Sequence, residues 1–182
     1  MPVYYPGCNT DELPDYQCDP CEDYEKGRVR SVAFVSTSFY TTLLANPTSI
    51  PVWQSGILSG DIVIIPKVVG SLDAPDPITG PGYGDDVETI LGRDFTLNWR
   101  DPSYKENCNF YNTLKRKKFY AIYRTGTQTH IADKTATIDT RAPVTENLED
   151  NVEWNGSAKW RSQDNPCPFD TPLTIFECFA IN

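Results

Sequence analysis

Val152-Glu153-Trp154-Asn155-Gly156-Ser157-Ala158-Lys159-Trp160 alternates apolar and polar residues without a break. Successive side chains of a strand point to opposite faces. Val152, Trp154, Gly156, Ala158 and Trp160 therefore share an apolar face, and Glu153, Asn155, Ser157 and Lys159 a polar one. Asn155-Gly156 is also a hairpin-turn dipeptide. The alternation that runs through it predicts one long strand instead, with Gly156 where another backbone approaches closely.

The same period appears upstream, where Phe95, Leu97 and Trp99 alternate with Thr96 and Asn98 and mark a second half-buried strand. Arg28 to Phe39 is rich in β-branched and aromatic residues, among them Val29, Val32, Phe34 and Val35, and suits a strand entering a core. Asp61 to Val69 reads as a strand interrupted by Pro66, which implies an edge or a bulge. Phe119 to Arg124 is a further strand, Gln128–Ala132 and Thr135–Thr140 are two shorter ones, and Leu173 to Phe179 is the last. Thr41 to Leu44 makes one helical turn that Asn46-Pro47 ends, because the residue before a proline disfavours the helical region.

One longer helix is expected. Ser103-Tyr104-Lys105-Glu106 has the spacing of a capping box, and Asn107, Phe110, Tyr111 and Leu114 follow at helical intervals, which places a helix over 104–115. Phe110, Tyr111 and Leu114 face inward. Lys115-Arg116-Lys117-Lys118 stays solvated at the helix end, where cations complement the dipole.

Residues 70–92 contain so many Pro, Gly and Asp that they read as a long irregular connection, either an arm reaching a neighbouring subunit or a flap. Leu72, Ile78, Tyr83 and Ile90 are too widely spaced to form a stripe of their own and are the expected subunit contacts. The expected fold is thus mainly β, a β-sandwich or β-barrel with one flanking helix and a loop arm at 70–92. It occupies residues 27–182 behind an acidic, cysteine-containing leader at 1–26.

Composition narrows the function. The 182 residues suffice for one domain, and the apolar fraction of 39%, with 15 Pro and 11 Gly, describes a modest core and many turns. The net charge of −9 gives no global support to nucleic-acid binding. Much of it sits in the leader, where Asp11, Glu12, Asp15, Asp19, Glu22, Asp23 and Glu25 face only Lys26. Met1-Pro2-Val3-Tyr4-Tyr5 has no basic start and no apolar run, so no secretory signal is expected, and no segment has the length of apolar chain that spans a bilayer. A mature secreted chain with an added Met would begin the same way.

Cys18-Asp19-Pro20-Cys21 has the spacing that offers two thiolates to one tetrahedral zinc, and Cys8 with Cys167, or with Cys178 as the alternative, would complete the set. Disulfides and free thiols are the competing states of these residues. Cys108, on the expected helix, reads as a core thiol.

Catalysis has little to rest on. His130 is the only histidine, set on a surface strand with no recognisable nucleophile beside it. Gly80-Pro81-Gly82-Tyr83-Gly84 lacks the Lys-Ser or Lys-Thr of a phosphate cradle. Asp85, Asp86 and Glu88 lack EF-hand spacing, and the Asn155-Gly156-Ser157 sequon matters only in a secreted eukaryotic chain. The expectation is a protein that is no enzyme and holds no cofactor beyond the zinc that its cysteines suggest.

The stretch Gly27-Arg28-Val29-Arg30-Ser31-Val32-Ala33-Phe34-Val35, with Gly82-Tyr83-Gly84, Thr96-Leu97, Asn107-Cys108-Asn109-Phe110-Tyr111-Asn112 and the closing Val152 to Trp160 strand, resembles small structural proteins of bacteriophages that infect Bacteroides-type and Flavobacterium-type hosts. The order of strand, long loop, strand, helix and strand is similar to tail tube and tail-to-head connector subunits. The resemblance implies homo-oligomeric rings, contacts with other tail or neck proteins, assembly in the host cytoplasm and a final place in the virion. The acidic leader and its cysteines are foreign to a generic tube subunit, which leaves a neck ring or a capsid accessory protein open. A secreted or cell-surface β-sandwich that binds a ligand through 70–92, and a cysteine-dependent enzyme, are the rival classes.

Overall fold

In the computed structural model, which describes residues 27–82, 88–144, 146, 151–170 and 173–176, the alternating stretch becomes a central strand, β8 (Trp154–Ser162). Eight other strands surround it: β1 (Ser31–Val35), β2 (Ile62–Ile65), β3 (Val69–Asp73), β4 (Ile78–Pro81), β5 (Glu88–Asp101), β6 (Phe119–Arg124), β7 (Gln128–Arg141) and β9 (Pro168–Asp170). Three helices accompany them, α1 (Tyr40–Ala45), α2 (Ile50–Leu58) and α3 (Cys108–Leu114), with a 3-10 turn at Leu173–Phe176.

The strands pair in the order β2-β1-β6-β7-β8-β5-β3, with β4 on β5 and β9 on β7, all antiparallel. The long strand β7 turns the sheet, since its first half pairs with β6 and its second with β8. The two ends of this path then meet. Val29 and Gly70 exchange both backbone hydrogen bonds at 3.0 Å, and the Val68 N–H donates to Arg30 O at 2.9 Å. β2 and β3 thus run along the same neighbour, interrupted at Pro66, whose carbonyl accepts from Ser31 Oγ at 2.7 Å. The sheet curls into a barrel, and closure removes the edges that an open sheet would expose there.

Every residue of β1 is buried because its two faces meet two different cores. Val32 and Phe34 point into the barrel with Phe95, Leu97, Trp99, Tyr123, Ile138 and Trp160. Ala33 and Val35 point outward into a second cluster with Leu43, Trp53, Ile62, Ile122, Ile175 and Phe176, beneath α1, α2 and the 3-10 turn. The mainly β class is as expected. The single flanking helix is not, because α1 and α2 cover one outer face of the barrel and α3 lies against another part of it.

α2 gave no clear sequence signal. Pro51 sits in its first turn, where a missing N–H costs nothing. Gly56 gives way to Phe39 and Ile62, whose side-chain atoms lie 2.6–2.8 Å from where a Cβ would stand. α1 matches the expected turn, with Asn46 closing it before Pro47.

Four further readings are corrected. α3 starts at Cys108, after an Asn107 that makes no side-chain cap bond, so the Ser103 capping box does not form. Buried Asp101 organises the turn instead, accepting the Ser103 N–H at 2.8 Å and the Tyr111 hydroxyl at 2.7 Å. Tyr111 and Leu114 face inward as expected while Phe110 is half-buried, and Lys115 to Lys118 are exposed beyond the helix end. The two short strands at 128–140 are one strand, β7, with a register irregularity opposite Tyr120 and Ile122. Of the strand expected over Leu173 to Phe179, Leu173–Phe176 is a 3-10 turn, and residues 177–179 lie outside the described residues. Cys108 is exposed, its sulfur accepting from Asn112 Nδ2 at 3.3 Å, so it is no core thiol.

Gly156 stands opposite Trp99 in the β5–β8 pair, and a Cβ there would fall 2.1 Å from the Trp99 ring. The close approach that the sequence predicted is real, but it comes from an indole and not from a backbone.

Candidate assembly surface

The connection at 70–92 is largely paired strand. β3 (Val69–Asp73) belongs to the barrel wall, and Leu72 packs against the barrel core, so Leu72 is withdrawn as a subunit contact. The loop arm is in fact a β-hairpin of β4 with the first residues of β5. Residues Glu88 to Gly92 of β5 pair with β4 alone, whereas Arg93 to Asp101 pair with β8. The hairpin therefore runs past the strands that form the barrel wall.

Its base is built for a change of direction. The register shifts between Ile78 and Thr79, which face Gly92 and Ile90, so Leu91 is the extra residue of a β-bulge. Gly92 adopts φ 132°, a conformation that residues with a Cβ rarely take, and a Cβ there would also meet Ser162 O at 3.1 Å. Next to it Arg161 grips Asp94 with two bonds of 2.6 and 2.9 Å. The guanidinium holds the Asp94 carboxyl below its usual range, and the carboxylate raises Arg161 in return. Arg93 Nη1 donates to Pro75 O at 3.0 Å and fixes the chain between β3 and β4.

On the hairpin Ile90 is 59% exposed and Leu91 54%. Ile78 is half-buried, and Tyr83 lies outside the described residues. Leu91 was missed from the sequence because nothing distinguishes the extra residue of a bulge from its neighbours before the pairing is known. The other exposed large apolar side chains among the described residues are Leu44, Ile50 and Leu58 on the helices, Val63 on β2, Val69 on β3, Tyr104 before α3 and Val144 after β7.

The remaining candidate residues come together less. Cys8, Cys18, Cys21 and Cys178 lie outside the described residues. Cys167 is an exposed free thiol whose sulfur donates to Asn165 O at 3.9 Å. Among the described residues no three His, Cys, Asp or Glu side chains gather as a metal site. His130 is half-buried rather than on the open surface, stacked on Tyr123 with centroids 4.6 Å apart, its Nδ1 3.1 Å from Pro166 O. Burial pushes the Tyr123 hydroxyl up to about 12. Burial, and then the Asp101 hydrogen bond, raise Tyr111 still further. Both tyrosines therefore ionise above the ordinary tyrosine range.

Asp61 joins the end of β1 to the end of α2, accepting from Ser36 Oγ and Ser59 Oγ at 2.7 Å each, and the Ser59 and then the Ser36 hydrogen bonds lower its pKa. Among the described residues no helix is long and apolar enough to cross a membrane. Comparison with protein families, curated proteins and solved structures returns no match.

Proposed function

We propose that this chain is a structural subunit of a bacteriophage particle, from the tail tube or the neck ring, that works by self-association. The observation that carries the reading is the β4–β5 hairpin, which leaves the barrel wall at Gly92 with Ile90 and Leu91 exposed. A two-stranded hairpin is marginal in water by itself, and a pair of apolar side chains at its stem is stabilised when a neighbouring subunit covers them. The resemblance to phage tail and connector proteins supplies the identity of that neighbour as another copy of the chain or an adjoining ring. A barrel whose own edges are closed is suited to such work, because it offers the hairpin as the preferred contact in place of indiscriminate edge pairing.

The test is the mass of the full chain in solution across a concentration series, with electron microscopy of the largest species. Wild type should form rings or short tubes. Ile90→Asp with Leu91→Asp should remain a folded monomer by circular dichroism. A wild type that stays monomeric at every concentration, or a double variant that assembles like wild type, refutes the reading.

A further inference from the structure

On the outer face of the barrel, β3, β5, β8 and the second half of β7 enclose a hollow of about 680 Å³. The strand register explains its lining. Val69 faces Arg100, which faces Asn155, which faces Arg141, and one step along the strands Ser71, Asn98, Ser157 and Asp139 form a parallel row. Lys159 stands in the next row, opposite Thr96. The floor is half-buried amide and hydroxyl, and the exposed rim carries three cations, Arg100, Arg141 and Lys159, against one acid, Asp139. Glu153 approaches Arg100 at 3.8 Å from outside the hollow. The Asn155 Oδ1 is buried and has no hydrogen-bond partner among the described residues.

A cationic hollow is unexpected on a chain of net charge −9. The chain itself supplies the complementary charge, seven acids against one base in residues 11–26. It also supplies the connection. Gly70 lines the hollow, and Val29 pairs directly with Gly70, so the chain N-terminal to Val29 joins the barrel at the rim. Glu25 lies four residue steps before Val29, a reach of roughly 13 Å in extended chain, and four strands of sheet are roughly 14 Å across. The acids nearest the barrel are therefore within reach of all three cations.

We propose that the acidic segment 11–25 docks in this hollow of its own barrel as an extended strip, its carboxylates on Arg100, Arg141 and Lys159 and a backbone N–H on Asn155 Oδ1. Arginine and lysine heads on a half-buried floor suit an acidic peptide, whose carboxylates arginine can bind two-pronged. The overall negative charge of the chain works against a foreign polyanion such as nucleic acid at the same place. The barrel thus carries its own occupant for this basic hollow, beyond any role of the hairpin in assembly.

Lys159 is the only lysine among the described residues that line the hollow, which permits a direct test on the full chain. A zero-length carbodiimide should join Lys159 to an acid between Asp11 and Glu25, in peptides recovered from the monomer fraction. Arg100→Glu with Arg141→Glu keeps the reacting lysine and should lower that yield at least fivefold. Arg100→Gln with Arg141→Gln serves the same purpose if the charge reversal does not fold. Salt at 1 M should lower the yield in wild type as well, since screening then acts within about 3 Å. Links from Lys159 only to folded acids, links found only between two copies, or yields unchanged in the variants would overturn the proposal. So would tight binding of a fluorescent single-stranded oligonucleotide to wild type, lost in the same variants, with no Lys159 link to the leader.

Discussion

Gly156→Ala adds a single carbon where the structure has no room. Its Cβ would stand 2.1 Å from Cζ2 and 2.2 Å from Cε2 of Trp99, ring atoms of a side chain that is 1% exposed. The indole would have to retreat by more than an ångström, towards Phe34, whose ring centroid is 5.5 Å away. Overpacking of this kind costs typically about 1–3 kcal/mol, and a contact this short with a fully packed ring belongs at the upper end, about 3 kcal/mol. The φ of Gly156 is not positive, so the cost is steric and not a matter of backbone strain. Urea unfolding followed by tryptophan fluorescence reads it as a lower midpoint at unchanged slope. Trp99→Phe removes the clashing ring, so the double variant should be at least about 1 kcal/mol more stable than the two single costs added together, as residues in direct contact couple. Gly156→Ala within about 0.5 kcal/mol of wild type, or a strictly additive double variant, would refute the reasoning.

Leu114→Ala should cost about 2–5 kcal/mol by denaturant unfolding, because Leu114 is buried where α3 meets the barrel core. Tyr111→Phe leaves the buried Asp101 carboxylate short of a donor and should cost about 1–3 kcal/mol in the same assay. Tyr123 should titrate near 12 in a spectrophotometric scan. Its folded value lies above the ordinary 10.0, so the unfolded chain ionises first, and stability falls as pH rises from about 10 towards 12. Tyr123→Phe should move alkaline unfolding to higher pH. Asp61 shows the opposite sign, with its folded value held below 3.8 by Ser59 and Ser36. Its contribution is complete above 3.8 and is lost as pH falls through the lowered folded value. Carboxyl chemical shifts should place that value below 3.8 in wild type and move it upward in Ser36→Ala with Ser59→Ala.

The hydrophobic pattern alone determined the mainly β class and the position of most strands. Trp154 to Trp160, Phe95 to Trp99 and Phe119 to Arg124 are legible because a strand repeats every two residues and one wetted face keeps the alternation visible. Pro66 marked the break between β2 and β3 because a proline cannot donate to the ladder. Pairing was not legible. The two backbone bonds between Val29 and Gly70 that close the barrel join residues far apart in sequence, and neither residue differs from others of its type. The 70–92 segment looked irregular because its Pro, Gly and Asp residues have poor strand propensity, yet β3 gains a neighbour in β5, and β4 pairs across a bulge whose Gly92 the turn requires. Propensity is a local property and a ladder is not, so only the tertiary structure moved Leu72 into the wall and left Ile90 and Leu91 outside. The same is true of the basic hollow. Arg100, Arg141 and Lys159 are unremarkable surface residues on three strands until the register sets them around one floor.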